Sequence, residues 1–282
     1  MELLSKVVPL AMLAFVVSSM LAVGVSLTVR QIMAPLRNGK LVSLALLANF
    51  VLMPLGALLI ARLLRLDEPL EIALLLLGTA AGAPFLPKLA GLAKSDLAFA
   101  VGLMVLLMVL TVGYMPLVLP LLLEGVSVDP TKIALSLVLL MLLPLGAGLL
   151  VKARFGHVAD RIRTSLNRIS SLSLVLLIVL LLVTNIRNVF SLLGTRGILA
   201  SILFILVGVA IGWLLGGPAF GTKAVLALGT AQRNIAAALV VGGKNFDDPY
   251  VLVMVVVVAV VGLLILMPLA RVLGSRGAVQ EV

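Results

Sequence analysis

The chain has no cysteine, one histidine, one tryptophan and only eleven acidic residues among 282. Without cysteine there is no disulfide, no thiolate metal site and no thiol chemistry. None of the eleven acids lies deep in an apolar run, and neither does His157, which sits in a basic stretch and reads as a solvated surface histidine. An intramembrane enzyme would need such groups at depth, so no catalytic residue is expected. Charge of any kind is scarce, at 11% of residues, whereas 63% are hydrophobic and the mean hydropathy is +1.33. Soluble domains of this length are not composed in this way. Runs such as Val251–Val261 lack the period-two alternation of a β-barrel strand. No polar segment is long enough for a soluble domain. The net charge of +10 therefore reports how charge divides across a membrane, and nucleic acid is not an expected partner.

What the chain does have is apolar stretches of membrane-crossing length. They fall at about 7–29, 41–61, 70–93, 97–123, 131–151, 167–186, 197–216, 224–243 and 250–270. The expectation is an all-α integral membrane protein with nine transmembrane helices. The first stretch has features of a signal peptide, with Lys6 before the apolar region and small residues near Ala22. Its length and the eight spans that follow favour an uncleaved helix. With the N-terminus outside, twelve basic residues fall in inner loops and seven in outer ones, five of the twelve in the stretch 152–168. The positive-inside rule then places the C-terminus in the cytoplasm, and the expected location is a bacterial inner membrane.

One residue breaks the apolar pattern. Ala224 to Gly243 reads AVLALGTAQRNIAAALVVGG, and Arg233 is its tenth residue. At ~1.5 Å per residue it lies roughly 15 Å from either end, too deep to reach water by extending its side chain. Gly229, Thr230, Gln232 and Asn234 surround it, which predicts an interrupted helix whose polar groups face a cavity. Ile72 to Ala93 repeats the design, with Gly82, Pro84, Pro87 and then Lys88. Both stretches carry Leu-Gly-Thr-Ala, at 77–80 and 228–231, and both run on to a lysine and an aspartate. Polar-interrupted spans in corresponding places of two halves point to a transporter site. In the nine-span topology the two cross in opposite directions. This predicts an inverted repeat: 1–123 as a first repeat of four spans lacking its opening helix, and 124–282 as a second repeat of five.

Three short motifs carry a family resemblance. LANFVLMPL at 47–55 resembles the third helix of the bile acid:sodium symporter family, and GLAKSD at 91–96 resembles the end of its fourth. Gln232-Arg233-Asn234 falls where the ninth helix of that family usually reads Glu-x-Gly-x-Gln-Asn. The resemblance implies a panel and a core, with the helices 70–93 and 224–243 unwound and crossing in the core near the midplane. It also implies that 41–61, 97–123, 197–216 and 250–270 join the core, with a solute site between core and panel. The implied sodium ligands have changed. A Ser-Asn pair falls on Leu86 and Pro87, a glutamate on Gly229 and a glutamine on Arg233, while Asn49 and Asn234 keep ligand-like chemistry.

The expected function is a secondary transporter that moves a small organic anion by alternating access. The alternative is a non-transporting membrane sensor or channel on the same fold. Candidate solute contacts are Arg233, Asn234, Gln232, Thr230, Lys88, Thr79 and Asn49. Each has a plainer reading: Arg233 as a brace bonded to carbonyls in place of sodium, Lys88 as a snorkelling side chain, and Thr79, Thr230 and Asn49 as helix-packing hydrogen bonders. No cofactor is expected, and sodium would have only the residual positions Asn49, Gly229 and Arg233. The other partner is the bilayer. The sequence does not give the oligomeric state.

Overall fold

The computed structural model describes residues 2–33, 37–123, 129–184 and 196–280, and the described residues are helical with no strand. Residues 124–128 of the expected central loop and Arg187 lie outside them. In chain order the helices are α1 (Glu2–Ser26), the short α2 (Val29–Met33), α3 (Gly39–Leu64), α4 (Glu68–Thr79), α5 (Leu86–Leu92) and α6 (Leu97–Leu122). They continue as α7 (Pro130–Arg154), α8 (Gly156–Thr184), α9 (Gly197–Leu215), α10 (Phe220–Ala231), α11 (Ile235–Asn245) and α12 (Pro249–Gln280). Eight spans are long and apolar enough to cross a membrane, counting α10 and α11 as one. The expected ninth, 70–93, is the helix split into α4 and α5, neither of which reaches that length alone.

Local chemistry sets the helix starts. Asp96 caps α6 by accepting from the Phe99 amide at 2.9 Å, and Asp129 caps α7 by accepting from Thr131 at 2.8 Å. Glu68 and Glu71 lie in the first turn of α4, where the helix dipole favours negative charge. One expectation is corrected here. The basic stretch 152–168 is not a loop, because α8 is helical from Gly156, with Lys152 bonded to Asp160 at 2.6 Å across the α7–α8 corner. Its apolar Val158, Ile162, Leu166 and Ile169 recur at helical spacing, a pattern that the density of arginine obscures.

The helices sort by packing. α1 lies mainly against α7 and α8, and its Gly24 meets Gly148 of α7 backbone to backbone. α9 lies against α10 along Gly208, Gly212 and Gly216, spaced four apart. A Cβ at Gly208 would come within 2.7 Å of the Ala231 Cα. Small residues at this spacing let membrane helices approach closely and gain dispersion contact. α3, α4, α6, α9 and α12 enclose the two breaks, and nearly every residue of α4, α10 and α11 is buried. The breaks therefore sit at the centre of the larger bundle.

Candidate functional site

Each break has an identifiable cause. α4 ends at Thr79, and Gly82 adopts φ +80° while packing on the backbone of Met108, a combination that leaves no room for a Cβ. Pro84 and Pro87 then prevent the helix from resuming at once. α10 ends at Ala231 because Gln232 turns extended, and Asn234 restarts the helix by accepting from the Ala237 amide at 3.1 Å. The two breaks touch. The Asn234 amide donates to the Ala80 carbonyl at 2.9 Å, and its side chain reaches the Ala81 carbonyl at 3.4 Å.

A third distortion faces them. In α3, residues Ala48–Leu52 form a π-helical turn just before Pro54. The Met53 amide bonds Ala48, not Asn49, and proline has no amide to offer Phe50. The Asn49 and Phe50 carbonyls are thereby released from the helix. Phe50 is taken by the Tyr114 hydroxyl, with the two rings 4.7 Å apart.

Arg233 collects the oxygens that these distortions release. Nε donates to Leu77 O at 2.8 Å, and Nη2 to Gly78 O at 2.7 Å and Asn49 O at 3.5 Å. Nη1 donates to Asn49 Oδ1 at 2.8 Å and Thr230 O at 3.2 Å. A guanidinium has five N–H groups, so every donor has an acceptor. The side chain is 2% exposed, and none of these acceptors is a carboxylate. Its charge is met instead by carbonyls at the C-terminal ends of α4 and α10, each the negative end of a helix dipole. An oxygen cage of this kind, made by half-helix ends and unwound backbone, is cation-binding chemistry. Here the cation belongs to the chain.

The other expected site residues divide. Asn49 and Thr230 join the Arg233 cluster, with Asn49 Nδ2 donating to Thr230 Oγ1 at 3.3 Å and Ala45 O at 3.0 Å. Thr79 stays within its own helix, bonding Leu75 and Leu76 carbonyls. Asn234 ties the two breaks together. Gln232 is buried on the opposite side of the break, where its Oε1 has no partner among the described residues. It borders a cavity of about 10 Å³ with Ile205, Ile235, Val258 and Gly262. Lys88 is exposed, its ammonium 5.1 Å from the Phe85 ring centroid, and it makes no contact with the cluster. Gly229 faces Leu86, whose Cδ2 would lie 2.9 Å from a Cβ placed there.

Two residues escaped the sequence reading. Thr111 both accepts from the Ala81 amide at 3.0 Å and donates to the Ala81 carbonyl at 3.1 Å, holding the first break open. Tyr114 stands one turn further along α6. They are the only hydroxyl residues in an otherwise apolar run and share one helix face, a signal that was available.

The model of the Sodium Bile acid symporter family matches residues 12–192, which is most of the chain but stops short of α9–α12. The probable sodium/metabolite cotransporter BASS2, chloroplastic, from Oryza sativa subsp. japonica is 28% identical over 241 residues. That alignment covers 83% of this chain and 57% of the rice protein, so the chain spans a little over half the length of that relative.

Proposed function

This chain belongs to the sodium bile acid symporter family, and we propose that it transports a small organic anion without sodium, by alternating access between the α1–α7–α8 bundle and the larger one. The single observation that carries the reading is the saturated guanidinium of Arg233. Sodium binding needs several oxygen ligands, usually with a carboxylate among them. The oxygens gathered at the breaks already accept from Arg233. Gly229 offers no side chain, and the space beside it is filled by Leu86. These residues do not fit sodium, and Arg233 stands as the fixed counterpart of the ion.

The same observation moves the solute away from Arg233. Gln232 and Lys88 are the expected contacts that keep free hydrogen-bonding capacity, one beside the second break and one just past the first. The uncompensated positive charge at the breaks favours an anionic solute without direct contact. The matching Leu-Gly-Thr-Ala segments support a two-repeat origin with the repeats inserted in opposite senses, N-terminus outside.

The test is uptake into proteoliposomes of a panel of labelled mono- and dicarboxylates, with external sodium replaced by potassium or choline. Rates that change by less than about twofold agree with this reading, because no carboxylate remains to bind the ion. A steep, saturable sodium dependence for any solute in the panel would overturn it.

A further inference from the structure

If Arg233 is spent inside the core, another cation must receive the anionic group of the solute. α8 supplies one. Thr164, Asn167, Arg168 and Ser171 follow one another at helical spacing on a single exposed face, and with Leu172 they line an open groove of about 540 Å³. That volume suits a small organic ligand. Their side chains make no hydrogen bond or ion pair among the described residues. The opposite side of the helix, at Leu166, Ser170, Ser173 and Leu177, is the more buried. A third sector, with Ile169, Leu176 and Val179, is exposed and apolar, as a lipid-facing surface should be.

Depth makes the polar sector informative. α8 has 29 residues, so it is about 43 Å long, and Arg168 lies about 18 Å from its start. Asn167 and Ser171 fall in the same central region. An amide and a hydroxyl on an unpacked face at that depth are costly against lipid and are tolerated where the face lines a water-filled cavity.

We infer that the Thr164–Asn167–Arg168–Ser171 face of α8 is a wall of the solute site. Arg168 takes the anionic group of the solute, and the Asn167 amide and the Ser171 and Thr164 hydroxyls bond its polar substituents. The planar fork of arginine suits a carboxylate, and the absence of a carboxylate partner leaves it free to act. This inference rests on the transport reading above for its solute, but its test requires no transport.

Because the chain is free of cysteine, Ser171→Cys introduces the only thiol. Its alkylation by iodoacetate, a small organic anion, is compared with that by neutral iodoacetamide in phosphatidylcholine vesicles. Asp129→Cys at the start of α7 serves as an exposed control. The anion-to-neutral rate ratio should exceed the control's by about tenfold, in the range of electrostatic focusing in a cleft. Adding Arg168→Gln should bring it down to the control value, while Arg168→Lys keeps part of it. A thiol that reacts with neither reagent would place the face in lipid and overturn the inference. So would a ratio indifferent to Arg168. A ratio abolished by adding phosphatidylglycerol would show that the site takes lipid headgroups, and the solute assignment would fall. A sodium-coupled uptake result would overturn the transport reading while leaving this labelling pattern intact.

Discussion

The span Phe220–Asn245 and the helix α8 both carry arginine and asparagine far from their ends, yet they use them in opposite ways. In the first, 94% of the most apolar stretch is buried, and Arg233 is bonded at every donor. In α8 the corresponding share is 11%, and Arg168 touches no partner among the described residues. Depth alone therefore does not mark a binding residue in a membrane protein. A buried cation whose donors are all satisfied is part of the scaffold, whereas an exposed one with free donors can meet a ligand. The difference arises from the backbone. Broken helices release carbonyls that a cation can bind, and an unbroken helix releases none.

The contrast predicts a graded set of effects. Arg233→Ala is expected to be the most damaging substitution, leaving three backbone carbonyls and the Asn49 amide without their donor. A loss of about 3–5 kcal/mol is expected, as for breaking a buried charged contact, and would appear as a fall in melting temperature in detergent. Thr111→Val comes next, because it frees both polar groups of Ala81 at the first break. The expected cost is about 1–3 kcal/mol, and hydrogen exchange at 80–83 should rise with it.

Gln232→Leu sharpens the comparison from inside the buried span. Its Oε1 has no partner to lose, so stability should hold or rise by up to about 1 kcal/mol. Carboxylate-induced thermal shifts should shrink, and a clear destabilisation would mean that the amide is structural. The smallest effect on folding is expected in α8. Asn167→Leu should move stability by no more than about 0.5 kcal/mol. A larger loss would show that the face is packed against something.

The sequence showed where polarity lay but not how it was satisfied. The two interrupted spans were legible from Gly82, Pro84 and Pro87 and from the cluster around Arg233, since such residues stop a helix wherever they occur. The family was legible in LANFVLMPL, whose Met-Pro pair marks the π-helical turn that releases the Asn49 carbonyl. The partners of Arg233 were not, because Leu77 and Gly78 contribute carbonyls and any residue has one. Gly229 and Leu86 were read as separate departures from the family pattern, yet they touch, so a single change in packing accounts for both. The inner part of α8 was read as loop because its five basic neighbours masked a helical apolar period. A polar helix face that lines a groove cannot be told from a solvated loop by composition.

The central claim is that the oxygen cage at the two breaks is a cation site filled by the chain's own guanidinium. It is tested most directly by emptying the cage and refilling it. The melting temperature of Arg233→Ala is measured in choline buffer, with and without about 10 mM guanidinium chloride, where a bound cation stabilises in proportion to ln(1 + [L]/Kd). The variant should melt well below wild type and recover part of the difference when guanidinium is added, while wild type does not respond. An alanine variant that melts with wild type would contradict the claim, because the cage would then need no cation at all.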